Sequence, residues 1–151
     1  MLRIEQEIIF HNTSDSILTS IFLHNWGNSY RDKKTPLFKR FIEDFKKDLY
    51  FAKEKELGSS TIKSMTVDFE SSNFKELNNR ADILEIFLNK PLSPNSKIKI
   101  VASYIVKIPS ARFTNYGKNK TGYHLRNWYL TPAIYRNGWQ LMSNLNLDDL
   151  Y

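Results

Sequence analysis

The stretch Lys97–Ile108 alternates without a break. Ile98, Ile100, Ala102, Tyr104, Val106 and Ile108 fall on one face, while Lys97, Lys99, Ser103 and Lys107 fall on the other. Successive side chains of an extended chain point to opposite sides, whereas a helix would scatter this pattern around its circumference. The pattern therefore predicts a half-buried β-strand. A strand with one apolar face needs partners on both edges and a layer to cover it, so the remaining sequence has to supply further strands.

It does so repeatedly. Leu2–Phe10 alternates, with Leu2, Ile4, Ile8 and Phe10 opposed to Arg3, Glu5 and Glu7. Asn12–Ser16 is a turn cluster, and Ile17–Asn25 resumes with Ile17, Ile21 and Leu23 on one face. Pairing Asn12 with Ile17 sets Ile8 opposite Ile21 and Glu5 opposite His24, which predicts a hairpin with coincident apolar faces. Ile62–Phe69 and Ala81–Leu88 read as strands, Glu70–Arg80 as a loop and Pro91–Ser96 as a turn. Tyr123–Tyr135 is apolar on both sides, with Tyr123, Leu125 and Tyr129 against Trp128 and Leu130. That predicts a central, doubly covered strand ending or bulging at Pro132. Asn137-Gly138 is a hairpin turn signal, with Trp139–Met142 as the returning strand.

One segment has helical spacing. Phe38, Phe41, Ile42, Phe45, Leu49 and Ala52 form a single stripe. Thr35-Pro36 supplies an N-cap and a first helical residue, and Gly58 sits where a C′ glycine would stop the helix. The spacing predicts one amphipathic helix, Thr35–Leu57, packed on its own sheet; its acids nearly balance its bases, which argues against a membrane-surface role. The expected fold class is mainly β and antiparallel, a single domain over residues 1–151 with a helical insertion at 35–57.

Composition bounds the function. No apolar run approaches the ~18 residues needed to span a bilayer, and Met1 leads straight into a strand-like pattern, so no signal peptide is expected within the chain. The 151 residues contain no cysteine, which removes disulfides, thiolate nucleophiles and thiolate metal ligands. Net charge is +6, but nine bases and no acid lie between Ile86 and Leu147, so the rest of the chain is net −3. This basic half is interleaved with Tyr104, Phe113, Tyr116, Tyr123, Trp128, Tyr129 and Trp139, a composition suited to an anionic polymer such as nucleic acid or polysaccharide. Tyr104, however, falls on the face opposite the lysines, and a stacking platform needs both on one face. Nucleic acid is disfavoured on that ground.

None of the three histidines, His11, His24 and His124, has a second histidine three or four positions away. No H-E-x-x-H, G-x-S-x-G, Walker or G-x-G-x-x-G pattern occurs. Asp148 and Asp149 are adjacent, and adjacent acids on a strand point apart. His124 and Arg126 lack partners for catalysis. No catalytic, cofactor-binding or metal-ligating residue is therefore assigned to this chain.

Several stretches together resemble the N-terminal β-domain of the zinc aminopeptidase family typified by aminopeptidase N, in a bacterial branch. They are Glu7-Ile-Ile-Phe-His-Asn-Thr-Ser14, Ile21-Phe-Leu-His-Asn-Trp-Gly-Asn-Ser-Tyr30, Lys34-Thr-Pro-Leu-Phe-Lys-Arg-Phe41, Tyr104-Ile-Val-Lys-Ile-Pro-Ser-Ala-Arg-Phe113 and Tyr123–Tyr135, where Trp128 and Pro132 have the family's spacing. The resemblance implies a saddle-like antiparallel sheet or sandwich, with the 35–57 helix as an insertion of that branch. It also implies a truncated, non-catalytic domain that packs on the catalytic domain of the same parent polypeptide. Zinc and peptide substrate would then belong to the parent. A stand-alone β-rich binding module using residues 86–147 is the alternative reading, and an adhesion or scaffold domain acting through the helix is a third.

Overall fold

A computed structural model describes residues 1–144. The chain runs through β1 (Leu2–His11), β2 (Leu18–His24), a 3-10 turn (Trp26–Tyr30), α1 (Pro36–Glu43) and a second 3-10 turn (Glu54–Glu56). There follow β3 (Ser59–Val67), β4 (Glu70–Ser71), β5 (Phe74–Leu77), β6 (Arg80–Leu92) and β7 (Lys97–Lys107). Five two-residue strands complete it: β8 (Gly117–Lys118), β9 (Tyr123–His124), β10 (Thr131–Pro132), β11 (Ile134–Tyr135) and β12 (Trp139–Gln140). The fold is mainly β and antiparallel, as expected.

Strand β7 is the alternating stretch that its sequence predicts, and every second residue from Ile98 to Val106 is buried. It lies inside a four-stranded sheet of order β1-β7-β3-β4. A second sheet, of order β10-β2-β6-β5, faces it. Ile8, Met65, Ile100 and Tyr104 of the first sheet share one core cluster with Ile21, Leu23, Leu84 and Ile86 of the second. Two sheets joined through one apolar layer make a β-sandwich.

The expected β1–β2 hairpin does not form. β1 pairs along its whole length with β7, from Leu2↔Val106 to His11↔Lys97, while β2 pairs with β6 through Ile21↔Ile86. Ile8 and Ile21 meet across the core instead of along a ladder. The linker between them changes sheets, and Asn12 holds that corner. Its side-chain amide donates to the carbonyls of Ser16 (2.8 Å), Leu92 and Ser93 (both 3.2 Å), and its oxygen accepts from the Ser14 backbone N–H and hydroxyl. The stretch expected to be a loop, 70–80, carries β4 and β5, and Pro91 lies in β6. At Pro91 the β2–β6 register shifts, so the proline occupies an irregularity where a missing N–H is tolerated.

The helix is shorter than its apolar stripe. Thr35 is the N-cap and Pro36 the first helical residue, as expected, but the Thr35 hydroxyl turns back to the Ser29 carbonyl (2.7 Å) and caps nothing. α1 ends at Glu43. The Lys46 N–H reaches the Phe41 carbonyl (2.7 Å) and the Phe45 N–H reaches that of Ile42 (3.0 Å), with Phe45 at φ 57°. That is a Schellman stop carrying phenylalanine where glycine is usual. Phe45 is 90% exposed, so continuing the helix would have covered nothing with it, whereas the turn lets Leu49 drop back into a second cluster with Tyr30, Leu37, Phe38, Phe41 and Tyr116. Gly58 stops no helix: a Cβ there would sit 2.8 Å from Pro109 Cδ, so glycine permits a close chain approach.

Nor is Tyr123–Tyr135 a central strand. It crosses the rim of the sandwich, pairing briefly as β9, β10 and β11, and only Leu130 and Ala133 within it are buried. Asn127 at φ 49° breaks the alternation. Leu130 is held by the Gln6 side chain, which stands among the apolar residues of β1. The Gln6 amide donates to the Leu130 carbonyl (2.8 Å) and accepts from the Leu130 N–H (3.1 Å) and the Tyr104 hydroxyl (2.6 Å). A side-chain amide thus supplies the two bonds that a neighbouring strand would have made. The Asn137-Gly138 turn forms as predicted, joining Tyr135 to Trp139.

Asn28, with no exposed surface, ties the two sheets together at the end plugged by the 3-10 turn. It donates to Glu76 Oε1 and to the Ala81 carbonyl, both at 3.1 Å, and accepts from the Ser60 N–H at 2.7 Å. Replacing it by alanine orphans buried groups on both sheets, so Asn28→Ala is expected to cost about 3 kcal/mol in urea unfolding. Phe45→Gly removes the left-handed strain from an exposed position and is expected to raise stability by ~0.5 kcal/mol in the same measurement.

Candidate functional site

A recess lies beside the second cluster. It has a volume of about 320 Å3 and is walled by Trp26 and Tyr30 of the 3-10 turn, Arg40, Phe41 and Asp44 at the end of α1, Lys46 just beyond, residues 113–116, Arg126, Asn127 and Asn144. Local sequence explains the walls. The Schellman stop turns Lys46 back over the Phe41 ring at 5.8 Å. Gly117, at φ 145°, folds the 109–118 loop so tightly that a Cβ would lie 2.5 Å from the Ala111 nitrogen.

The polar groups of this recess are engaged with one another. The Tyr30 hydroxyl is 2.7 Å from Thr114 Oγ1, which accepts from the Tyr116 N–H at 3.2 Å. Arg40 lies 3.6 Å from Asp44 and donates to the Asn144 carbonyl at 3.3 Å, while Lys46 lies 3.7 Å from the same carboxylate. Tyr116 is the exception. Its hydroxyl is buried with no hydrogen-bond partner among the described residues, and burial pushes its pKa up to about 12. The recess is suited to receiving an apolar or weakly anionic group.

The histidines stay apart. His11 ends β1 opposite Lys97. His24 is buried, stacks on Trp26 with ring centroids 5.1 Å apart, and accepts from the Met142 N–H at 3.0 Å. His124 is exposed in β9, its Nε2 3.0 Å from Asn119 Nδ2. Among the described residues no three His, Asp or Glu side chains are grouped to hold a metal. Asp148 and Asp149 lie outside the described residues. No helix among the described residues is long and apolar enough to cross a membrane.

Two bases of the basic half form ion pairs with acids outside it, and a third reaches a backbone carbonyl there. Lys99 meets Glu7 at 2.6 Å, Arg112 meets Glu56 at 3.0 Å, and Lys107 donates to the Glu54 carbonyl at 2.8 Å. The Lys53 backbone N–H, with Arg112 beside it, holds Glu56 below the usual carboxylate range. Tyr104 is buried beneath β7 and its hydroxyl is pushed above the ordinary tyrosine value by desolvation. The exposed aromatic side chains of this half are Phe87, Tyr123 and Tyr129, with Leu125 between the two tyrosines.

Of the recess, the sequence singled out Phe113 and Tyr116 only as part of an aromatic, basic half and denied Arg126 a role for want of partners, so no site was expected there. The missing signal was the helix stop at Phe45, which carries no glycine or proline. Compared with known proteins, the chain matches no family model, no curated protein and no solved structure.

Tyr116→Phe deletes a buried, unpartnered hydroxyl without changing packing, and is expected to stabilise the chain by about 1 kcal/mol. Its pH signature follows from the raised value. The folded state binds the phenolic proton more tightly than the unfolded chain, where tyrosine titrates near 10. The associated stability is complete below pH ~10 and is lost as the pH rises through about 12. The variant is expected to lose less stability than the parent chain between those limits, measured by chemical denaturation at a series of alkaline pH values.

Proposed function

We propose that this chain is the non-catalytic N-terminal β-domain of an aminopeptidase N-like zinc metallopeptidase. In this reading it packs on the catalytic domain and helps to shape the peptide-substrate cleft. The observation that carries it is the state of Tyr123–Tyr129. This stretch has the composition of covered strand, yet Tyr123, Leu125 and Tyr129 are 56%, 39% and 43% exposed. Aromatic surface of this kind, beside a recess able to receive a side chain, suits a neighbour that covers both. The sequence resemblance supplies the kind of neighbour. Its stretches also coincide with framework roles: Asn12-Thr-Ser14 is the corner clamp, and the Trp128–Pro132 stretch contains the clamped Leu130.

Among the described residues the three histidines do not converge on a zinc site: they occupy a strand end, a buried stack and an exposed hairpin. Zinc therefore belongs to the catalytic domain in this proposal, where it would polarise the scissile carbonyl and activate water. The contribution of this domain is to position and enclose.

The reading frame around the coding sequence tests the proposal. It is expected to encode H-E-x-x-H with a glutamate roughly 20 residues later, and the extended protein to release p-nitroaniline from aminoacyl anilides in a chelator-sensitive manner. A frame without that motif overturns the peptidase assignment. Stoichiometric zinc and anilide cleavage by the 151-residue chain alone overturn the non-catalytic role.

A further inference from the structure

Within the recess beside α1 the charges do not close. Arg40 and Lys46 share the single carboxylate of Asp44, at 3.6 and 3.7 Å. Ion pairs elsewhere in the chain are tighter: Lys99 meets Glu7 at 2.6 Å, Arg31 meets Glu76 at 2.6 Å and Arg80 meets Asp82 at 3.0 Å. A direct charge-assisted N–H···O bond spans ~2.7–2.9 Å, so neither cation makes one to Asp44. A further contact of the Arg40 guanidinium, to the Asn144 carbonyl, is also long at 3.3 Å. The Arg40 side chain is only 19% exposed, and a cation withdrawn from water needs close partners. Two cations on one carboxylate leave one positive charge over. The facing wall does not offset it, since residues 113–116 and 126–127 include Arg126 and no acid.

The remainder of the lining is largely aromatic. Phe41 and Phe113 contribute to it, together with Trp26, Leu37 and Tyr116. The Lys46 ammonium lies 5.8 Å from the Phe41 ring centroid, so the positive end of the recess adjoins an aromatic wall. The volume, about 320 Å3, falls at the lower end of the range for small-molecule sites.

We propose that this recess binds a free small molecule that joins an aromatic ring to a carboxylate. The ring lies against Phe41 and Phe113, and the carboxylate bridges Arg40 and Lys46. With Asp44 the cluster then holds two cations and two anions, and the guanidinium gains the close partner it lacks. The proposal goes beyond the peptidase reading and does not rest on it, because it needs neither a neighbouring domain nor Tyr123, Leu125 and Tyr129.

The test titrates the full chain with benzoate, phenylacetate and hydrocinnamate, and with the three corresponding neutral amides. Backbone amide shifts are followed by NMR. At least one acid is expected to give saturable shifts centred on residues 40–46 and 113–116, and its amide to bind about tenfold more weakly. Lys46→Met changes an exposed side chain. It is expected to weaken the acid about fivefold and to leave the amide unchanged, a difference that a mere change of wall shape would not produce. Four results would each overturn the proposal: no saturable shift with any of the acids, equal affinity for acid and amide, equal weakening of both by Lys46→Met, or nuclear Overhauser contacts in the free chain between residues 145–151 and Phe41 or Phe113. The last would assign the recess to the chain itself.

Discussion

The inner face of β7 is the constraint on which the other elements depend. Ile98, Ile100, Ala102, Tyr104 and Val106 form a strip that two strands flank and a whole sheet covers. Burial of such a strip stabilises only if both of its edges are paired, because an unpaired backbone amide in the core costs as much as several methylene groups return. β1 and β3 therefore take their registers from β7. The opposite sheet takes its position from the apolar layer it shares with it. The loops at the plugged end, where the 3-10 turn and the 109–118 loop meet, then follow from how the two sheets are held together.

Holding them together falls to uncharged polar side chains. Asn12 bridges the corner between β1 and β2 to the turn after β6, Asn28 links β3 to β5 and β6, and Gln6 fastens the rim segment at Leu130 to β7 through Tyr104. Each is an amide side chain that donates and accepts at once, so each stands in for a stretch of backbone where the ladder is interrupted. Buried networks of this kind are strong only when complete. Asn25 Nδ2, Ser60 Oγ and the Tyr116 hydroxyl are buried without a hydrogen-bond partner among the described residues, and Tyr116 lies in the wall of the recess.

How much of this was legible in the sequence depended on the range of the forces involved. β7 was legible in full because its alternation is local and unbroken. The start of α1 was legible for the same reason, since Thr35-Pro36 announces it. The end was not, because Phe38–Ala52 keeps helical spacing past the point where there is anything to cover. Only the tertiary alternative, Leu49 returning to the second cluster while Phe45 takes a left-handed turn, stops the helix. The β1–β2 hairpin failed through a choice between partners: its two strands match one another, but β7 offers β1 a longer ladder and β6 offers β2 another. Tyr123–Tyr135 misled because composition cannot say whether apolar side chains are covered by this chain. Of the candidate site, the residue types were visible. Their convergence depended on the Phe45 stop and the 109–118 loop, neither of which periodicity encodes.

The clamp between Gln6 and Leu130 spans 124 positions of sequence. β1 and β7, the best-matched pair in the fold, are joined by residues that lie on either side of five intervening strands. Most of the chain has to be searched before its decisive contacts can form, and such topologies fold slowly. On the ribosome the consequence is one of order. The opposite sheet can begin to assemble from β2, β5 and β6 while β1 waits for β7 to emerge, and Gln6 waits longer still for Leu130. The N-terminal strand is thus among the first segments made and among the last to be locked, a natural client for whatever protects exposed strand edges during synthesis.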